Sequence, residues 1–211
     1  MRRLEEALGM RVDLGVMADW IAQGSKVLDL GCGRGELLSY LIHHKQVRGI
    51  GVEIDEESFL ACVEKGIPVI QRDINLSLKD VEDQSFDYVI ISQTVQQLQR
   101  PDLLILESLR IGRYVIVSFP NFGHYRIRLN LLFSGRMPKS KALPYEWYNT
   151  PNIHLMTIKD FQDFCHRYQI TVHQWYYFWQ TRGGKWLLLP NWFASGCLAL
   201  ISRRDEYEKK A

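Results

Sequence analysis

The feature that most constrains the fold is a strand, a glycine-rich turn and a helix in immediate succession, KVLDLGCGRGELLSYL, at residues 26–41. The apolar residues around Asp29 predict a buried strand, and the leucines that follow predict a helix from Glu36. Three glycines separate these two elements: Gly31, Gly33 and Gly35. A turn with so little side-chain bulk lets a ligand approach the backbone where a helix begins.

The alternation of strand and helix continues through the first half of the chain. The predicted strands are VRGIGVEI, IPVIQRD, FDYVIIS and RYVIVSF. One intervening helix opens at Asp55, and another has Pro101 in its first turn and Gly112 past its end. This order predicts an α/β fold of the doubly wound, Rossmann-like kind, with a mostly parallel sheet and helices on both faces.

The alternation of strands and helices ends after Phe119. Residues 120–155 are too long for an ordinary loop and are rich in aromatic side chains. Regular structure resumes in TIKDFQDFCHRYQI, a helix with a capping-box pattern at Thr157 and Asp160. The segments TVHQWYYFW and SGCLALIS then predict two strands. We therefore expect residues 1–211 to form a single domain with an insertion at about 120–155.

The composition and net charge of the chain limit the functional classes to which it can belong. The chain has 211 residues and a net charge of +2, so no general field attracts nucleic acid or an anionic membrane surface. No stretch approaches the roughly 20 apolar residues of a membrane span. The four cysteines are scattered, without metal-ligand spacing or a disulfide framework. We expect a cytoplasmic protein with no metal, nucleic-acid or membrane partner.

Three acidic residues are predicted at the ends of successive strands: Asp29, Glu53 and Asp73. The glycine spacing departs from the dinucleotide fingerprint, because Glu36 stands where that fingerprint has glycine. Asp29 is unfavourable beside a phosphate and suits a cationic ligand, whereas a carboxylate at Glu53 can accept both hydroxyls of a ribose. Taken singly, Glu53 could be a surface acid and Asp73 a loop cap. Together with the turn they predict a nucleoside site.

This constellation resembles that of the class I S-adenosylmethionine-dependent methyltransferases, over roughly residues 26–202. The resemblance implies a sheet of seven strands, the last one antiparallel, and S-adenosylmethionine or S-adenosylhomocysteine as cofactor. It implies that Asp29 and the backbone of Gly31, Cys32 and Gly33 hold the methionine end of the cofactor. Gln93, after the fourth strand, would face the same end.

The same resemblance assigns the nucleoside end of the cofactor. Glu53 would bind the ribose and Ile54 would pack on the adenine. Asp73 with Ile74 would border the adenine amine. The Asn/Asp-Pro-Pro-aromatic motif of base- and glutamine-methylating relatives is absent after the fourth strand, where ISQTVQQL stands instead.

The segment PNFGHYRIRLNLLFSGRMPKSKALPYEWYNTPNIHL closely resembles the MetW family of bacterial methionine-biosynthesis proteins, as do VLDLGCGRGELL, FDYVIISQTVQQL and TIKDF. The resemblance implies a cofactor-binding accessory subunit that acts with a homoserine O-acyltransferase, the MetX-like partner. The alternatives are a methyltransferase acting on an unidentified small molecule and an interaction protein with a decayed pocket. No residue has the placement needed to name a catalytic base.

The segment after strand five leaves several interpretations open. Leu129, Leu132 and Phe133 form a short apolar stripe with arginines on either side, which predicts packing on the sheet, a docking surface or a lid over the cofactor. His124 and His154 are either proton acceptors or hydrogen-bonded structural residues. A further aromatic group could line a pocket or fill the core: Tyr145, Trp147 and Tyr148.

The run WYYFW at residues 175–179 predicts a strand with aromatic side chains on both faces. Trp175, Tyr177 and Trp179 should face one way, and the two residues between them the other. Helices of the same domain are the expected cover, and a partner chain is the alternative.

Overall fold

The computed structural model describes residues 12–76, 78–139, 145–179, 182–185 and 187–204. These residues group into two compact units. The first contains the described residues up to Ser92 together with Arg100–Ile116, and the second contains Gln93–Gln99 and the described residues from Val117 onward. The expectation of a single domain with an insertion stays a prediction.

The fold is mixed α/β with an eight-stranded, mostly parallel sheet, which confirms the predicted class. The first unit contains α1 (Val12–Trp20), β1 (Lys26–Leu30), α2 (Glu36–Lys45), β2 (Arg48–Glu53), α3 (Glu56–Glu64), β3 (Val69–Gln71), β4 (Phe86–Ser92) and α4 (Pro101–Ile111). Its strands are parallel and run in the order β3-β2-β1-β4. Strand β5 (Gly112–Pro120) begins in this unit and ends in the second.

The first unit forms as its apolar pattern predicts. Every residue of β1 after Lys26 is buried, and Val89, Ile90 and Ile91 of β4 are fully buried, as expected for strands covered on both faces. Helix α3 begins after Asp55, whose carboxylate accepts a hydrogen bond from the backbone N–H of Ser58.

The second unit contains a 3₁₀ turn (Val95–Gln97), α5 (Tyr125–Ser134), α6 (Ile158–Arg167), β6 (Ile170–Trp179), β7 (Arg182–Gly184), α7 (Pro190–Phe193) and β8 (Gly196–Arg203). Strand β8 pairs antiparallel with β6, as expected of the last strand. The short β7 pairs antiparallel with the other edge of β6 and brings the sheet from the expected seven strands to eight.

The capping box at the start of α6 is present. The Thr157 hydroxyl accepts from the backbone N–H of Asp160, and the Asp160 carboxylate accepts from the backbone N–H of Thr157. Along β6 the aromatic rings alternate as predicted: Trp175 stacks on Tyr177, with ring centroids 5.9 Å apart. Phe161 of α6 meets Trp175 edge-on, so a helix of the same unit covers that face.

Within the described ranges, no helix has the length and apolar character needed to cross a membrane.

Candidate functional site

The carboxyl ends of the parallel strands in the first unit lie at one edge of the sheet. The register pairs Leu30 with Val52 and Glu53 with Gln71, so β1, β2 and β3 end side by side. Ligands of open α/β sheets bind at this edge. The structure therefore brings the glycine turn, Glu53 and the loop carrying Asp73 to neighbouring strand ends.

The glycine turn requires glycine because its backbone is left-handed three times. The φ angles are 78° at Gly31, 56° at Gly33 and 74° at Gly35. A Cβ at Gly35 would lie 2.6 Å from Cδ1 of Ile67 and 2.9 Å from Sγ of Cys62. The third glycine therefore also allows α2 to begin in close contact with the end of α3.

The backbone amides of the turn donate to acceptors of the chain itself. The N–H groups of Gly31 and Cys32 donate to the carbonyl oxygen of Val52, at 2.8 and 3.1 Å. The N–H of Gly33 donates to Oε2 of Glu53 at 2.8 Å. The N–H of Gly35 donates to the carbonyl of Cys32 at 3.1 Å. Because four of its amides already donate within the chain, the turn lacks the free N–H groups that a phosphate needs.

Glu53 is buried at the end of β2 and fixes two loops at once. Its Oε1 accepts from the backbone N–H groups of Ile54 and Asp55, at 2.8 and 2.9 Å, and its Oε2 accepts from Gly33. A carboxylate offers about four lone-pair sites, so three are occupied and one remains on Oε2. This triple role was not foreseen from the sequence, which presented Glu53 as a ligand-binding acid or a surface acid; its burial contradicts the second interpretation.

Asp29 lies within β1, opposite Gly51 of β2, and is only 3% exposed. Cys32 is buried beside it, and a Cβ at Gly51 would lie 2.5 Å from the Cys32 sulfur. Burial raises the pKa of the Cys32 thiol, and the nearby charge of Asp29 raises it further. A raised pKa keeps the thiol in its protonated form, which disfavours a nucleophilic role.

The predicted nucleoside-contact residues differ in exposure. The side chain of Ile54 is 59% exposed, whereas Ile74 is buried. Asp73 is partly buried, and its Oδ1 accepts from the backbone N–H and the side-chain amide of Asn75. Asp73 therefore caps its loop through Oδ1, as one of the two interpretations predicted. Its Oδ2 is the oxygen available to a ligand.

Gln93 belongs to the second unit and has a left-handed backbone, with φ 55°. Its N–H donates to the carbonyl and to the hydroxyl of Ser118, at 3.1 and 3.0 Å. Its carbonyl accepts from the side-chain amides of Gln96 and Gln97. A left-handed conformation is uncommon in a residue other than glycine, and Gln93 shares it with Gln46, Gln84, Gln169 and Leu189. Sequence spacing alone did not reveal this conformation.

Helix α3 braces the glycine turn through two residues that sequence reasoning missed. The Cys62 thiol donates to the carbonyl of Gly33 at 3.2 Å, and Nζ of Lys65 donates to the carbonyl of Arg34 at 2.6 Å. Cys62 and Lys65 are three positions apart and therefore project from one face of the helix end. That spacing was the only signal in the sequence.

The histidines of the second unit have structural hydrogen bonds. Nδ1 of His124 accepts from the backbone N–H of Arg126 and caps α5, and Nε2 of His154 lies 3.3 Å from the carbonyl of Gln99. Three aromatic residues that could have lined a pocket or filled the core are instead largely exposed: Tyr145, Trp147 and Tyr148. None of these positions identifies a base for methyl transfer.

The model of the family described as methionine biosynthesis protein MetW matches residues 11–201. The chain belongs to the MetW family. A curated MetW-family relative, the bifunctional methionine biosynthesis protein MetXA/MetW of Rhodopirellula baltica, is 36% identical over 185 residues. The match covers 83% of this chain and 30% of the relative, so the chain spans about 30% of that protein's length.

Solved methyltransferase structures share the fold of this MetW-family chain. A methyltransferase of Thermotoga maritima, described as a possible histamine N-methyltransferase, aligns with a TM-score of 0.67 at 13% identity, over 96% of this chain and 94% of that one. One from Archaeoglobus fulgidus aligns with a TM-score of 0.63 at 18% identity, over 95% and 94%. At these identities the likeness concerns the fold alone.

Proposed function

We propose that this chain binds S-adenosylmethionine or S-adenosylhomocysteine at the strand ends of the first unit and serves as an accessory subunit of a homoserine O-acyltransferase. The observation that carries the first part is the chemistry of the glycine turn. Its amides are engaged within the chain and the buried acid Asp29 stands beside it. A pyrophosphate would meet negative charge and few donors there, whereas an ammonium and a sulfonium would be attracted.

The nucleoside end of the ligand has three candidate partners. The free lone pair on Oε2 of Glu53 would accept from one ribose hydroxyl, which refines the expectation that it accepts from both. Ile54 would lie against the adenine with its exposed side chain. Oδ2 of Asp73 would accept from the adenine amine, while Ile74 contributes backbone only, since its side chain is buried.

The accessory role is supported by the relative in which a MetXA part and a MetW part form one polypeptide. Fusion of two proteins implies that they function when held together. The alternative of a methyltransferase with an unidentified small-molecule acceptor is favoured by the fold. We rank it second because none of the predicted catalytic candidates in the described residues has the placement of a base.

Calorimetric titration with S-adenosylmethionine tests the binding proposal. Glu53→Ala should weaken binding by at least roughly 1.5–3 kcal/mol, because it removes a charged acceptor for the ribose and also releases the three backbone amides that the carboxylate holds. Ile54→Asp should weaken it similarly by removing the apolar face, and its exposed position leaves folding intact. Glu64→Ala, a surface acid on α3, is the matched control and should bind normally.

NAD provides the competing ligand in the same experiment. We expect NAD to bind at least tenfold more weakly, a difference of about 1.4 kcal/mol. Equal competition by the two ligands, or no saturable binding of either sulfur ligand by folded protein, would reject the proposal. The accessory role is tested separately, by measuring the acyltransferase rate with and without this chain.

A further inference from the structure

Helix α5 presents an apolar face to solvent. Of its ten residues only Ile127 is buried, whereas Leu129, Leu132 and Phe133 are 43%, 74% and 81% exposed. At about 100° per residue these three side chains occupy one stripe roughly 100° wide, and Ile127 lies on the opposite side. We call this stripe the α5 face. Its two leucines and its phenylalanine are exposed, whereas Ile127 on the opposite side is buried.

The N-terminal half of α5 contacts other residues of the second unit. The guanidinium of Arg128 lies 4.4 Å from the ring centroid of Trp192, and its Nε donates to the carbonyl of Gly123 at 2.5 Å. The Tyr125 ring lies 5.9 Å from that of Phe193. Gly135 closes the helix in a left-handed conformation, with its N–H donating to the carbonyl of Leu131. The N-terminal half of α5 is therefore anchored, and the α5 face is carried on a helix that is closed at its C-terminus.

The charged residues within α5 and just after it are basic. Residues 120–136 contain three arginines and no aspartate or glutamate: Arg126, Arg128 and Arg136. Lys139, which follows them, forms an ion pair with Glu146. By the helical angle, Arg128 borders the stripe beside Leu132, and Arg126 borders it beside Phe133. A surface that covers this face therefore needs an apolar groove with an acidic rim.

We propose that the α5 face is the docking surface for the homoserine acyltransferase, with Leu129, Leu132 and Phe133 inserted into a groove of that partner. The inference rests on the partner role proposed above and names the surface that performs it. The residues stand at i, i+3 and i+4, the spacing by which an amphipathic helix anchors in a groove. We choose the acyltransferase as the partner that covers this face because the fused relative holds a MetXA part and a MetW part in one chain.

The affinity of purified full-length chain for the acyltransferase of the same organism tests this surface. Leu132→Asp should weaken the complex at least ~30-fold, the effect of losing one central anchor. Phe133→Ser should weaken it as well. Leu103→Asp is the matched control, because Leu103 is a 49% exposed leucine on α4 of the other unit. Arg126→Glu should slow association most at low salt. Circular dichroism verifies folding of each variant.

The outcomes separate the surface from the partner role. The α5 face would be established as the docking surface if Leu132→Asp and Phe133→Ser weaken the wild-type complex and Leu103→Asp does not. A complex that both α5 variants form with wild-type affinity would overturn the surface while keeping the partner role. Absence of any wild-type complex would overturn both. A dimer of this chain that Leu132→Asp dissociates, with acyltransferase binding unchanged, would assign the face to a second copy and overturn the proposal.

Discussion

Helices α2 and α5 contain apolar residues at similar helical spacing and present them in opposite ways. In α2, Leu37, Leu38 and Leu41 are at most 3% exposed, whereas in α5 Leu132 and Phe133 are more than 70% exposed. The spacing of apolar residues thus indicates that a helix has an apolar face. It does not indicate whether the chain itself or a partner covers that face.

The two helices also begin differently. Helix α2 begins at Gly35 without a side-chain cap, directly after a turn packed against α3. Helix α5 begins at His124, whose ring accepts the hydrogen bond of a first-turn amide. The start of α2 is therefore fixed by tertiary packing, and the start of α5 by a local cap. Each difference gives a prediction with a matched control.

The largest expected effect concerns the two leucine faces. Leu38→Ala should lower the free energy of unfolding by about 2–5 kcal/mol, because Leu38 is fully buried and its loss leaves a cavity. Leu132→Ala should change it by less than ~0.5 kcal/mol in the isolated chain. Urea denaturation of the two variants measures both values. A cost above ~1 kcal/mol for Leu132→Ala would mean that the chain itself covers the α5 face.

This comparison shows how far the sequence can be interpreted. The strands other than β7, the order of helices, the capping box at Thr157 and the glycine turn were predictable, because each depends on local spacing or on a special backbone conformation. The exposure of Leu132 was not predictable, since the pattern of α5 resembles that of a buried helix. Burial depends on which elements meet in space, and one sequence does not contain that information explicitly.

Some features of the candidate site were likewise predictable from the sequence and others were not. Glu53 and Asp73 were expected at strand ends, and parallel strands necessarily bring such ends to one edge. The three backbone donors that Glu53 holds, and the brace from Cys62 to Gly33, arise from the exact path of the loops. The positions of the acidic side chains at the strand ends could be predicted from the sequence. The lone pairs that these carboxylates keep free for a ligand could be identified only from atomic positions.

A smaller effect is expected at the starting turn of α2. Gly35→Ala should lower the free energy of unfolding by about 1–3 kcal/mol more than Gly24→Ala does. Both glycines have φ 74°, so both variants bear the strain of a left-handed alanine. A Cβ at Gly24 meets nothing within 4 Å, whereas at Gly35 it meets Ile67 and Cys62. The difference between the two variants isolates the packing contribution.

Chemical denaturation of both variants at neutral pH provides this comparison. Gly33→Ala extends it, because a Cβ there also meets nothing within 4 Å. We expect its stability to match that of Gly24→Ala and its S-adenosylmethionine affinity to fall, since the added methyl group lies where the ligand would approach. Equal stability losses for Gly35→Ala and Gly24→Ala would show that Ile67 and Cys62 yield without strain.

The smallest expected effect is a pH dependence confined to the start of α5. Burial lowers the pKa of His124 below its usual 6.5, and the nearby Arg126 lowers it further. As the pH falls below about 6.5, the unfolded chain therefore takes up the proton before the folded chain does, and stability decreases. Protonation also removes the Nδ1 acceptor that caps the helix. The stability contributed by neutral His124 is present above pH 6.5 and is lost on acidification.

His124→Asn isolates this contribution, because asparagine caps a helix without titrating. Urea midpoints at pH 7.5 and 5.5 should show the wild type losing more stability than the variant, by less than ~1 kcal/mol, the lower part of the range for an N-cap. His173, whose pKa burial also lowers, is common to both proteins and cancels in the difference. Parallel pH profiles would mean that folding does not lower the pKa of His124, so that the neutral ring contributes no stability as a cap. The start of α5 would then be fixed by packing, as that of α2 is.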